Sequence, residues 1–261
     1  ILRKAFKLGN PKHKISIFKK VFHLNVYIIS SIVYNTPNTH HKNHIRKMKL
    51  ILMFLTLTSL SIVAAEIEMP NLAEKGSANA GSNLVATCAA CHGVDGNSVN
   101  SDWPKLAGQN QKYTYDQLKL FQSGERQNAL MMAVTPYLNT LTDKNLLDIA
   151  AFYESNKTSV GQAKNEEDLL SLGMSLYRGG NLEKGIPACS ACHSVYGNGL
   201  SLAGFPAIAG QQVGYLTSSL KAYRSNERNA GEYASVMQAV SQNLSDEDID
   251  ALANYMHGLY K

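Results

Sequence analysis

The sequence predicts an all-α protein made of two small helical bundles in tandem, and three observations carry that prediction. The chain contains a second copy of itself: residues 103–126 lie over residues 205–228 without a gap, placing Pro104 on Pro206, Gly108 on Gly210, Tyr113 on Tyr215 and Leu118 on Leu220. Apolar residues recur at helical spacing, as in Leu146, Leu147, Ile149, Ala150 and Tyr153, and again in Ile249, Leu252, Ala253 and Met256. All four cysteines fall into two Cys-x-x-Cys-His clusters, "CAACHG" and "CSACHS", in register with the repeat.

The N-terminal stretch stands apart from that pattern. Residues 1–47 hold ten lysines and arginines, no acids and five of the eight histidines, and read as an upstream extension outside the fold. From Met48 the chain reads "MKLILMFLTLTSLSIVAAEIE". A basic start, an apolar run short of a comfortable bilayer span and the small residues Val63, Ala64 and Ala65 make residues 48–65 a signal peptide cut after Ala65. Residues 66–261 then carry 14 Lys and Arg against 20 Asp and Glu, a formal charge of −6, although the whole chain is at +5. A nucleic-acid partner calls for a basic stripe on the folded part, and this composition excludes one.

Within each repeat the helices follow in order. An opening helix is expected before each cysteine pair, near residues 81–87 and 167–177. A second is expected near residues 111–122 and 213–224, and a last one after the N-cap residues Thr142 and Ser245, whose first turns hold acids that suit the positive end of a helix dipole. No stretch alternates as a strand would. Residues 155–167, "SNKTSVGQAKNEE", are polar and read as a surface linker, so the two halves take residues 66–158 and 159–261.

The cysteine clusters carry the chemistry. Two thiols three residues apart on a helical turn can reach the two vinyl groups of one porphyrin, and a histidine immediately after them comes up beneath the iron. The expected cofactors are therefore two haem c groups, bound through Cys88 and Cys91 in the first half and Cys189 and Cys192 in the second, with His92 and His193 as proximal iron ligands. A redox dithiol needs no histidine and normally sits beside a sheet. A zinc site would need ligands drawn from both clusters, which the repeat places in separate halves. After Met48 the remaining histidine is His257, aligned with Ser155 and read as a surface residue.

A sixth ligand decides whether iron exchanges electrons alone or also binds small molecules. Met237, in "SVMQAV", falls between the cluster and the last helix; in the first half "ALMMAV" offers Met131 and Met132, and the match to the second half selects Met131. Thioether sulfur is a soft ligand that favours ferrous iron. Met69, Met174 and Met256 read as core filling. The carbonyls of Pro104 and Pro206 are expected to accept the proton on the histidine nitrogen that faces away from iron, fixing the ring, the alternative being ordinary loop prolines ahead of a turn helped by Gly108 and Gly210.

With "CAACHGVDGNS", "WPKLAGQ", "GIPACSACH", "AGFPAIAGQ" and "LSDEDIDALANY" in these positions, the chain resembles the cytochrome c4 family, di-haem periplasmic electron carriers built from two class I cytochrome c domains. The resemblance covers essentially all of residues 66–261. It implies His and Met ligation of both haems, haem propionates that approach each other between the domains, and no catalytic residues. It also implies redox partners, with a quinol-oxidising complex as donor and a terminal oxidase as acceptor, in the periplasm and in loose association with the membrane. The stretch "MMAVTPYLNTLTD" departs from its shorter counterpart "MQAVSQNLSD", which leaves Met131 and Met132 as alternatives. Two other functions share this domain plan: the electron-transfer subunit of a sulfide-oxidising flavocytochrome, and a di-haem peroxidase, which would need one haem able to open a coordination position.

Overall fold

Two short helices, α1 (Ala78–Ser82) and α2 (Ala86–His92), open the part of the chain that the computed structural model describes, residues 75–260. The upstream extension, the signal peptide and Met69 lie outside the described residues. One opening helix was expected here, and Gly81, Ser82 and Asn83, poor residues for a helix interior, break it in two. The first half continues through α3 (Gln111–Ser123), α4 (Ala129–Met132), α5 (Thr135–Leu138) and α6 (Asp143–Ser155). The second follows with α7 (Glu167–Gly179), α8 (Ser190–His193), a 3-10 turn at Ser201–Ala203, α9 (Val213–Arg224), α10 (Ala234–Ser241) and α11 (Asp246–Gly258). Among the described residues the only β pairing is two isolated bridges, Asn181 with Ile186 and Leu200 with Phe205.

In each half the first and last helices cross at a glycine. A Cβ on Gly81 would lie 2.0 Å from the Asp148 carbonyl oxygen, and one on Gly173 would lie 2.3 Å from that of Ala251. Only a residue without a side chain lets the backbones of α1 and α6, or α7 and α11, approach so closely. The crossing fixes where α2 and α8 leave the frame, and with them the cysteine clusters.

The last helices are anchored by reciprocal caps. Thr142 Oγ1 accepts from Asn145 N at 3.2 Å while Asn145 Oδ1 accepts from Thr142 N, and Ser245 pairs with Asp248 in the same way. Behind the caps, Leu146, Ile149 and Tyr153 of α6 are buried in the cores of the first half, and Ile249, Leu252 and Met256 of α11 in that of the second. Met256 is buried as expected, whereas Met174 is 43% exposed on the outer side of α7.

Residues 156–166 form no regular element, and backbone groups along them are tied to both halves. Ser159 N donates to Asn97 Oδ1 at 2.7 Å, and Lys164 N donates to Asn254 Oδ1 at 2.8 Å. His257, read as a surface residue, is only partly exposed and donates from Nδ1 to the Gln211 carbonyl at 2.7 Å. From the last turn of α11 it faces the loop ahead of α9.

The halves meet across an approximate two-fold relationship written in hydrogen bonds. Gln211 of the second half pairs with Lys105 of the first, and Gln109 of the first pairs with Ala207 of the second. Tyr215 N and Gly214 N reach Ser101, and Asn110 Nδ2 reaches the Phe205 carbonyl. Self-complementary contact of this kind is what a duplicated surface closing on itself produces.

Candidate haem-binding sites

The C-terminal turn of α2 carries Cys88, Cys91 and His92; Cys189 stands at the head of α8, which holds Cys192 and His193. In each cluster the first cysteine is partly buried, the second exposed, and none of the four is in a disulfide. Burial pushes the Cys88 thiol up, and the Cys189 thiol up to about 11, so both stay protonated near neutrality. A redox dithiol needs a lowered thiol.

Both histidines are buried, His92 at 7% exposure and His193 at 8%. His92 Nδ1 lies 2.8 Å from the Pro104 carbonyl oxygen, and His193 Nδ1 lies 2.9 Å from that of Pro206. A carbonyl can only accept, so Nδ1 carries the proton and Nε2 keeps its lone pair. Burial holds both imidazoles below the ordinary histidine value, which keeps that lone pair available, while the proline carbonyls act in the opposite direction.

Each helix stops immediately after its histidine. Gly93 takes φ 83° and ψ 156°. The equivalent residue, Ser194, takes φ 68° and ψ 163°, a region occupied almost only by glycine. Ser194 is held there by two contacts: its Oγ accepts from Asn198 N at 3.1 Å, and its carbonyl accepts from the Tyr177 hydroxyl at 2.7 Å.

Met131 sits in α4 against Phe121, Leu138 and Leu146, while Met132 is 56% exposed. Met237 sits in α10 against the core of the second half. The first half needs two short helices, α4 and α5, where the second has α10 alone, because Pro136 starts a new turn after Val134. Among the described residues no three His, Cys, Asp or Glu side chains gather as a metal site. What each half offers is one imidazole nitrogen, one partly buried thioether and two thiols, a donor set that fits a haem whose porphyrin would supply the four remaining nitrogens.

Beside these sites lies a polar cluster that motif reading did not single out. Arg228 donates to the Tyr113 hydroxyl at 2.8 Å, Arg126 lies 3.4 Å from that of Tyr215, and both guanidiniums reach Gln117 Oε1. Burial would raise the Tyr215 hydroxyl, but the guanidiniums of Arg228 and Arg126 hold it below its ordinary value. Among the described residues neither arginine is ion-paired with a carboxylate. The signal was present in the self-comparison, where Tyr113 aligns with Tyr215 and Arg126 with Arg228, but it carries no known ligand spacing.

The family model for cytochrome c matches residues 78–157 and 183–259, one match in each half, so the protein is a c-type cytochrome of two tandem domains. Cytochrome c4 of Stutzerimonas stutzeri is 41% identical over 191 residues, spanning 71% of this chain and 90% of that protein. The crystal structure of reduced recombinant cytochrome c4 from Pseudomonas stutzeri superimposes with a TM-score of 0.66 at 42% identity, covering 71% of this chain and 100% of that one. The thiosulfate dehydrogenase electron acceptor of Stutzerimonas stutzeri (strain A1501) is 31% identical, over 75% of this chain and 88% of its own. The chain belongs to the cytochrome c4 family. It is a di-haem electron-transfer protein with two covalently bound haem c groups, and an electron carrier rather than an enzyme.

Proposed function

We propose that the protein is exported through residues 48–65 and shuttles electrons in the periplasm from a quinol-oxidising complex to a terminal oxidase or reductase, in loose association with the membrane. Its working part is the pair of cytochrome c domains at residues 66–158 and 159–261. No helix among the described residues is long and apolar enough to cross a membrane. Cys88 and Cys91 would hold one haem and Cys189 and Cys192 the other; His92 and Met131 would ligate the first iron, His193 and Met237 the second. When bound, each haem supplies one-electron exchange between ferric and ferrous iron.

The chain's own residues make that exchange selective. The prolines fix each imidazole in one tautomer and orientation, so little rearrangement accompanies a change in charge. Met131 and Met237 are partly buried against the cores of their halves, and as iron ligands they would keep small molecules out. The observation that supports the reading is a buried, tautomer-fixed histidine in each half, with a partly buried methionine packed against the core of the same half, so that neither half is short of a candidate ligand. A peroxidase would need such a shortage.

A second donor is favoured by the likeness to the thiosulfate dehydrogenase electron acceptor. Rapid mixing of the oxidised protein with quinol-oxidising membranes, or with a thiosulfate-oxidising enzyme, tests the two. Fast reduction of both haems by the membranes and slow reduction by the enzyme is expected; the reverse would replace the proposed donor.

A further inference from the structure

The peptide group between Pro104 and Lys105 has both its polar atoms engaged, each by a different half. Its carbonyl accepts from His92 Nδ1 at 2.8 Å, and its N–H donates to Gln211 Oε1 at 2.7 Å. The peptide group between Pro206 and Ala207 repeats the arrangement in mirror sense, with its carbonyl 2.9 Å from His193 Nδ1 and its N–H donating to Gln109 Oε1 at 2.8 Å. One amide plane therefore joins each axial histidine to a glutamine of the other half.

The glutamines are not passive filler. Gln211 Nε2 donates back to the Lys105 carbonyl at 2.9 Å, and Gln109 Nε2 to that of Ala207 at 2.8 Å. Each side-chain oxygen also accepts the backbone N–H of the next residue, Gln212 or Asn110, at 2.9 Å. Turning either amide over would set its NH2 against two N–H donors, so the orientation is forced. Gln109 and Gln211 are 7% and 6% exposed, too dry for water to replace them cheaply.

We infer that Gln211 and Gln109 are positioning residues that set the donor strength of the axial histidine in the opposite half, each through one shared peptide group. Hydrogen bonds in series polarise one another. An amide whose N–H is engaged has a more basic carbonyl, which draws harder on the Nδ1 proton and makes Nε2 a stronger donor. Stronger donation favours ferric iron and lowers the reduction potential. The inference rests on His92 and His193 being the proximal ligands.

The test is a spectroelectrochemical titration that resolves the two haems in the intact holoprotein. With Gln211→Leu the potential of the haem at His92 rises while the other stays; with Gln109→Leu the haem at His193 rises instead. Ser101→Ala, which removes the acceptor of Gly214 N at the same interface, leaves both in place. No shift, a shift in the same half as the substitution, or equal movement of both haems would overturn the inference. Should the leucine variants fail to fold, the parent protein in its reduced state still decides: scalar coupling across the hydrogen bond from Lys105 N to the Gln211 side-chain carbonyl, and from Ala207 N to that of Gln109, is expected, and its absence counts against the relay. Absorption spectra separate the two levels of the reading. Spectra lacking histidine and methionine ligation in the parent would remove the ligand assignment itself, whereas intact spectra with unmoved potentials would remove only the relay.

Discussion

Gly173 of α7 and Ala251 of α11 touch backbone to backbone, with space for no atom beyond the glycine's own: a Cβ there would meet the Ala251 carbonyl oxygen at 2.3 Å and the Tyr255 Cβ at 2.8 Å. Gly173→Ala should therefore force the helices apart even though alanine is the better helix former. Overpacking of this kind costs about 1–3 kcal/mol. Thermal unfolding followed at the helix signal should show the variant melting several degrees below the parent; an unchanged or raised midpoint would mean the crossing has slack.

The two adjacent methionines separate cleanly by burial. Met131→Leu should remove the sulfur-to-iron absorption band from one haem of the two and open that haem to carbon monoxide, with the haem at His193 unaffected. Met132→Leu, altering a side chain that is 56% exposed, should change neither. Loss of the band in the second variant instead of the first would reassign the ligand.

A pH dependence follows from Asp248, which is 2% exposed and accepts from Lys184 Nζ at 2.9 Å. Burial alone would raise its carboxyl, but Lys184 and the Ser245 N–H outweigh burial and hold it below the usual carboxylate range. A lowered folded-state value means the stabilisation is present above the unfolded Asp value of about 4 and is lost as pH falls through the lower folded value. Lys184→Met should cost about 1–2 kcal/mol at pH 7, less than breaking a fully buried pair because Lys184 is half in water. The gap between variant and parent in urea unfolding should narrow as pH drops below about 4.

Strain after the imidazole should be measurable on one side only. Ser194→Gly should stabilise the second half by about 1 kcal/mol, offset in part by the lost Oγ contact to Asn198. Gly93→Ser should destabilise the first, because the new Cβ would meet the Asn97 carbonyl oxygen at 2.8 Å. Equal responses to the two substitutions in denaturant titrations would contradict the strain assigned to a serine in a backbone conformation that Gly93 shares without cost.

Local chemistry is what the sequence makes legible. Repeat, caps and apolar period place α3, α6, α7, α9 and α11 within a residue or two, because each depends on neighbours three or four positions away. The break between α1 and α2 goes beyond the expected single helix, although Gly81, Ser82 and Asn83 are the weak helix formers that cause it. The short helices α4, α5 and α10 around the methionines were not anticipated either, because four to eight residues hold too little periodicity to announce a helix. His257 and the glutamines eluded pattern reading for another reason: their partners lie 46 to 106 positions distant, and no spacing announces them. Self-comparison marked Gln109 and Gln211 as repeated; only the fold says whom they meet.

The same crossed glutamines give each copy a stake in the other. A liberated copy would leave Gln109 or Gln211, and the loop amide it serves, without the partner it has across the seam. Ancestry from a doubled module thus comes with a cost to modularity, paid at four hydrogen bonds that only the pair can make.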